Sequence, residues 1–406
     1  MKVNQWTLGL AAVGLVSLPA ALLAEEKANP LLTAVTPTTV SGYVNTSIHW
    51  NPGTGNTFVP GYAFNRGKQD GFNLDVVALS LDKPLSEEQW AAGYHVDLIF
   101  GPDANALATQ SSGVAADFGI KQAYVALQIP VGNDIHAKVG VFDTPIGYEA
   151  FDGYKNPNYT RSYGYSLEPT THTGVLLSYQ ICKWASASAG IANTFGPAIN
   201  ARANPPKAES YKTYMGGLTV TAPEDWGFIS GSSLSAYVIN GFNAGTEGGA
   251  NQTSFYVGAT VNTPWDWFKV GASYDHLATT DSTESGTSWY ANAWALYGSV
   301  QVPDSKWSVH LRGEYANSDT SLLVSGPTGI GTLANPPGGN NEVFAMTATL
   351  QYDLWKNVIS RLEFRWDHQA GDNNMTGYGQ DLREDPPSGS GLRNYYTIAL
   401  NLLYRF

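Results

Sequence analysis

Strand-like runs recur along the whole chain, and the connectors between them alternate strictly between short and long. Short connectors sit at 82–89, 130–134, 180–184, 222–228, 263–267, 302–306 and 353–357. Long ones sit at 51–71, 101–119, 143–171, 195–212, 241–253, 275–287, 316–341 and 368–392. Seven short and eight long connectors join sixteen strands and leave both ends of the array on the short-turn side. An antiparallel up-and-down transmembrane β-barrel has this plan: an even strand number, short periplasmic turns and longer external loops. A soluble sandwich has no reason to confine its long loops to one edge. The expected fold is therefore an all-β barrel of sixteen strands over residues 40–406, with no internal domain boundary.

Side chains alternate faces along a strand, so residue parity sorts lipid from lumen. Leu362, Phe364 and Trp366 alternate with Arg361, Glu363, Arg365 and Asp367. Val309, Leu311 and Tyr315 alternate with His310, Arg312 and Glu314, while Tyr94, Val96, Leu98 and Phe100 alternate with His95 and Asp97. A cationic side chain facing lipid near the midplane costs roughly 2–4 kcal/mol, so the charged sets are expected to look inward, into water. The run 72–81 alternates poorly and receives no face assignment.

Charged residues make up 14% of the chain, against roughly 25% in soluble domains. No internal apolar run reaches the roughly 18 residues of a membrane helix, whereas a spanning strand needs only about 9–11. Twelve Trp supply a separate test: Trp90, Trp184, Trp226, Trp265, Trp267, Trp307 and Trp355, seven of the twelve, lie in or beside short turns. Indole rings favour the membrane–water boundary, so a belt along one rim is expected.

The ends agree with an exported membrane protein. Lys2 is the only charge before Glu25, and an apolar stretch runs from Leu8 to Leu23, the pattern of a signal peptide over 1–24 cleaved after Ala24. An irregular lead over 25–39 follows. The last strand places apolar side chains at every even position from Tyr396 to Phe406, with Thr397, Asn401 and Arg405 among the odd ones. It is expected to close the barrel against the strand near 40–50, with Tyr404 and Phe406 toward lipid and Arg405 toward water. A terminal Phe on such a strand resembles the C-terminal signature read by the bacterial barrel assembly machinery, which with outer-membrane lipids would be a partner.

The third long connector, 143–171, is the longest segment with candidate function. It carries Asp143-Thr144-Pro145-Ile146-Gly147-Tyr148-Glu149, then Asp152, Tyr154, Lys155, Tyr159, Arg161, Tyr163, Tyr165 and Glu168, and leads into Thr170-Thr171-His172-Thr173-Gly174. With Lys138-Val139-Gly140-Val141-Phe142 before it, this stretch resembles the OmpL-like outer-membrane β-barrel porins of Gram-negative bacteria, most clearly over 120–179. In sixteen-stranded porins the third external loop folds inward and narrows the pore. By that resemblance Glu149 and Asp152 would line one side of a constriction with Arg312, Arg361 and Arg365 opposite, and His95, Asp97, Glu314, Glu363 and Asp367 would line the lumen. Opposed charges across an aqueous gap would filter solutes by charge and size. The bland reading keeps the same charges as pairs that hold the loop in place.

Enzymatic signatures are sparse. The seven His are scattered from His49 to His368 without metal-ligand spacing, and there is no Gly-x-Ser-x-Gly elbow. Gly329-Ile330-Gly331 sits in a long connector without a following helix, so it is no phosphate cradle. No cofactor and no metal is expected, and a formal net charge of −12 disfavours nucleic acid. One Cys, Cys182, forbids an internal disulfide. Three long connectors carry Pro-Pro (Asn204-Pro205-Pro206, Asn335-Pro336-Pro337 and Asp385-Pro386-Pro387), which cannot pair inside a sheet. The function this implies is a porin for passive diffusion of small hydrophilic solutes in the outer membrane. Its alternatives are a surface-display adhesin or receptor barrel and a barrel-embedded hydrolase. A homotrimer is compatible with the sequence, but no residue pattern marks its interface.

Overall fold

A computed structural model describes residues 38–53, 59–60, 68–107, 117–203, 211–243, 251–280, 288–319, 324–325, 341–370 and 393–406. The expected signal segment 1–24, the expected lead as far as residue 37 and the three Pro-Pro motifs lie outside the described residues.

Sixteen strands form one closed antiparallel barrel. They are β1 (Thr39–Trp50), β2 (Gly71–Lys83), β3 (Ala92–Phe100), β4 (Phe118–Ile129), β5 (Ile135–Asp143), β6 (Thr171–Cys182), β7 (Ala185–Ala192) and β8 (Thr213–Thr221). There follow β9 (Ser233–Phe242), β10 (Asn251–Asn262), β11 (Phe268–Thr280), β12 (Ser288–Gln301), β13 (Trp307–Ser318), β14 (Asn341–Trp355), β15 (Val358–Gln369) and β16 (Asn394–Arg405). Each pairs with its sequence neighbours, and β16 closes on β1 in a register that sets Tyr43 opposite Arg405 and Trp50 opposite Ile398. Reciprocal backbone bonds between Gly42 and Phe406, 3.0 and 3.1 Å, carry the seam to the last residue. Closure removes the free strand edges that hydrocarbon cannot hydrate. A two-stranded ribbon of Val59–Pro60 with Val324–Ser325 lies outside the barrel sheet, and a short helix, α1 (Pro102–Leu107), follows β3.

The short turns are made by residues that tolerate left-handed backbone: Asp134, Asp304 and Asn357 have φ of 66°, 53° and 67°. Beside these turns the seven tryptophans stand out from the surface, 42–72% exposed. A second aromatic row crosses the outer wall away from the short turns. Tyr274, Trp294, Tyr315 and Phe344 follow one another over β11–β14 with ring centroids 4.8–5.5 Å apart. An aromatic belt at the short-turn rim is part of the outer profile of a bacterial barrel.

Face assignments follow the alternation. Leu311, Leu362 and Phe364 are about half exposed on the outside, while Arg312, Glu314, Arg361, Glu363, Arg365 and Asp367 are buried inside. Poor alternation in β2 has a local cause. The register against β1 shifts between Asn45 and Thr46, leaving Asp75 as an extra residue, so that Asp75 and Val76 both bury. A second shift, between Asp97 and Leu98 of β3, makes Lys121 the extra residue of β4 and turns both Lys121 and Gln122 inward. Each bulge therefore delivers a charge to the lumen that strict parity would have sent elsewhere.

Candidate functional site within the barrel

The connector 144–170 lies inside the barrel and bonds to side chains of its inner wall. It leaves the long-loop end of β5 and runs down to Gly153. An added Cβ there would sit 3.4 Å from Asn45 and 3.6 Å from Leu403, the latter two residues before the end of β16. It then climbs through 159–162 into a short helix, α2 (Tyr163–Leu167), capped by the Ser162 hydroxyl accepting from Tyr165 N–H.

Acidic and basic side chains of β13–β15 act as a template for the climbing segment. Glu363 accepts from Tyr159 N–H at 2.6 Å and from Thr160 N–H at 2.9 Å, and Glu314 accepts from Tyr163 N–H at 2.7 Å. Arg312 donates to the carbonyls of Thr160 and Arg161, Arg365 to that of Arg161, and Arg361 to those of Gly153 and Asn156. Backbone lacking sheet or helix partners is thus satisfied by the wall, as burial demands. Ion pairs join the same groups. Arg312 meets Glu149 at 2.6 Å and Glu314 at 2.7 Å, and Arg365 meets Glu314 at 3.2 Å and Asp367 at 2.9 Å. Arg312 and Arg365 are 0% exposed.

The expected aqueous gap between Glu149 and the wall arginines is therefore closed at these residues. Loop and wall are in contact, because the guanidinium N–H groups that do not point at a carboxylate donate to loop carbonyls. Asp152 does not face these arginines. It pairs with Lys155 at 2.7 Å, lies 4.0 Å from Lys121, and accepts from the Tyr43 hydroxyl. His95 and Asp97 are also paired inside, with His95 bridging Asp82 and Asp97 at 2.9 Å each.

Under α2 the contact is apolar. Phe142, Ile146, Tyr163 and Leu167 pack with Leu176, Met215, Ile239, Leu277, Ala291, Ala293 and Ala345. Small wall residues on β12–β14 make the room that the helix fills. Tyr148 stacks on Tyr297 at 4.1 Å. Glu168, at the end of α2, is half-buried beside Asp275 and Glu149; loss of water contact first, and then those carboxylates, hold its pKa well above the carboxylate range. Tyr159 completes the seat by reaching Ser47, His49 and Asp75, and Asp75 pairs with Lys68 at 2.8 Å.

Strand parity pointed to the wall residues of this site. It missed Asp75 and Lys121, which the bulges supply, and it gave no role to Tyr159, Arg161, Lys138 or Glu168. Among the described residues no group of three or more His, Cys, Asp or Glu is placed to hold a metal ion.

A sixteen-stranded barrel with a long inward third loop is the architecture of known porins, and family comparison decides the assignment. Residues 37–401 match the family described as "Putative beta-barrel porin-2, OmpL-like". The chain belongs to this family. Porins of this family reside in the Gram-negative outer membrane, which sets the short turns in the periplasm and the long loops outside. No curated protein sequence is significantly similar to the chain. Among solved structures it is similar to the in-vitro folded trimer form of OmpT from Vibrio cholerae, with TM-score 0.59, 10% identity, and 91% and 99% of the two chains covered. It is also similar to the channel DcaP of Acinetobacter baumannii, at TM-score 0.57, 12% identity, and 91% and 97% coverage. The anion-selective porin of Comamonas acidovorans gives 0.54, 14%, and 91% and 99%. At such identities the likeness is one of fold.

Proposed function

We propose that this porin passes small hydrophilic solutes by passive diffusion and that the segment 144–170 is its constriction. The observation that carries the reading is the seating of the loop on the inner wall through the buried Glu149–Arg312 contact. A loop held by ion pairs and by its own backbone stays at a fixed height in the lumen, which gives a reproducible cross-section instead of a fluctuating one. In this reading Glu149, Arg312, Arg361 and Arg365 position the constriction, and Asp152 fixes its lowest turn. Glu314, Glu363 and Asp367 serve as its wall partners, and His95 and Asp97 line the lumen as a pair on the wall. The barrel carries out no covalent chemistry, and a homotrimer, the form in which the similar OmpT structure is described, is part of the proposal.

Below the loop, inward positions such as Gln128, Gln180, Ser235, Thr260, Ser299 and Gln351 are half-buried and uncharged, suited to hydrated solutes. Planar-bilayer recording of the purified protein tests the reading. Discrete conductance steps are expected; an inserted, folded barrel that never opens would favour a display role instead.

A further inference from the structure

Three cations stand on the periplasmic side of the seated loop, and two of them make no ion pair among the described residues. Lys138, four residues into β5, faces the lumen with its Nζ 4.7 Å from the centroid of the Tyr124 ring. Among the described residues no carboxylate lies within 4.0 Å of it. Arg405 ends β16 with its guanidinium 5.1 Å from the Tyr154 ring, and its Nε is buried without a hydrogen-bond partner. It too has no ion pair among the described residues. Lys155 sits 5.6 Å from the same Tyr154 ring and pairs with Asp152, yet its side chain remains 45% exposed.

The nearby carboxylates are in a different state. Asp82 and Asp97 are engaged by His95, Asp143 by Lys121 at 2.7 Å, and Asp152 by Lys155 and Tyr43. The carboxylates Asp82, Asp97, Asp143 and Asp152 are thus each engaged by a nearer partner, whereas Lys138 and Arg405 stand against aromatic faces and make no ion pair among the described residues. A ring face steadies a cation but leaves its charge and donors unspent. A cation inside a membrane barrel without a carboxylate needs water or a passing anion.

We infer that Lys138, Lys155 and Arg405, set on Tyr124 and Tyr154, form a subsite for small oxyanions, carboxylates or phosphates, just below the constriction. The inference rests on the channel reading above and names its substrate class. The two tyrosines keep the cations extended into the lumen, and the aqueous surroundings keep binding weak enough for release, as conduction requires. Selectivity is then set by this ring and not by Arg312 and Arg365, which the loop covers.

The test is the zero-current potential across a bilayer with a KCl gradient, measured on the whole protein and on Lys138→Gln, Lys155→Gln and Arg405→Gln. The wild type is expected to prefer chloride by at least about twofold, and each substitution to move the ratio toward unity. Replacing chloride by acetate or by phosphate on one side separates the two oxyanion classes. Because Arg405 adjoins the barrel seam, Lys138→Gln decides the matter if the Arg405 variant does not assemble. A channel that conducts but prefers potassium, or whose ratio is unchanged in Lys138→Gln, overturns the inference and leaves the porin reading standing. A wild-type barrel with no conductance overturns both.

Discussion

Arg312 on the barrel wall and Glu149 on the inserted loop meet at 2.6 Å, at a point where neither side chain reaches water. A buried pair of this kind is weak evidence for net stability, because both charges were taken out of water to make it. Its cost appears when one partner is removed. Arg312→Met leaves Glu149 and Glu314 buried beside a neutral side chain, and such a loss typically costs roughly 3–5 kcal/mol. The expected result is protease sensitivity within 144–170 while the barrel stays intact on a heat-modifiability gel. Wild-type resistance of the loop would show that other contacts suffice to seat it.

The loop seat is expected to depend on pH through Glu168. Its pKa is raised by burial and by Asp275 on β11 and Glu149 on the loop, with Tyr256 and Tyr165 also facing it. The seated loop therefore holds Glu168 protonated, whereas a released loop lets it ionise at the ordinary value of about 4.3. Seating is complete at pH below that value and weakens as pH rises through the raised one. Open-channel current noise should accordingly grow from acid to alkaline pH, and Glu168→Gln should flatten the dependence. An identical rise in the Gln variant would remove Glu168 from the seat.

Small residues under α2 yield a packing prediction. Ala293 is 2% exposed on the inner face of β12 and touches the apolar side of the loop. Ala293→Leu would overfill the seat at a cost of roughly 1–3 kcal/mol. The conductance should change while the outer wall is unaffected. Leu296→Ala, on the same strand but 68% exposed to lipid, should leave conductance alone. Equal effects from the two substitutions would mean that α2 does not read the β12 surface.

Most of the barrel was legible in the sequence because its two signals are local: period-two alternation within a strand, and the length of each connector. Arg361, Glu363, Arg365 and Asp367 declare the inner face of β15 by parity alone. Bulges are invisible to that logic. One extra residue at Asp75 and another at Lys121 shift parity partway along a strand, and nothing in the residue types announces it. The loop was recognisable by its place in the order of connectors and by resemblance. Its contact with the wall was not, since sequence carries the charges of Glu149 and Arg312 but not the distance between them.

The terminal strand makes a separate prediction. Phe406 is half exposed toward lipid with its ring 6.5 Å from that of Tyr404, and its backbone closes the seam on Gly42. We propose that these two rings are the assembly signature. Deleting Phe406 should then lower the yield of barrel inserted in the outer membrane far more than the heat resistance of the fraction that does insert. Undiminished insertion would assign the rings to lipid anchoring alone.

The central claim is that residues 144–170, seated in the lumen, set the size of the passage. Proteoliposome swelling with sugars of increasing size tests it directly, comparing the wild type with a variant in which residues 148–167 are replaced by a short Gly-Ser linker. The account predicts that the wild type admits monosaccharides and excludes larger sugars, and that the variant admits both. The same size cut-off in the two proteins would contradict it.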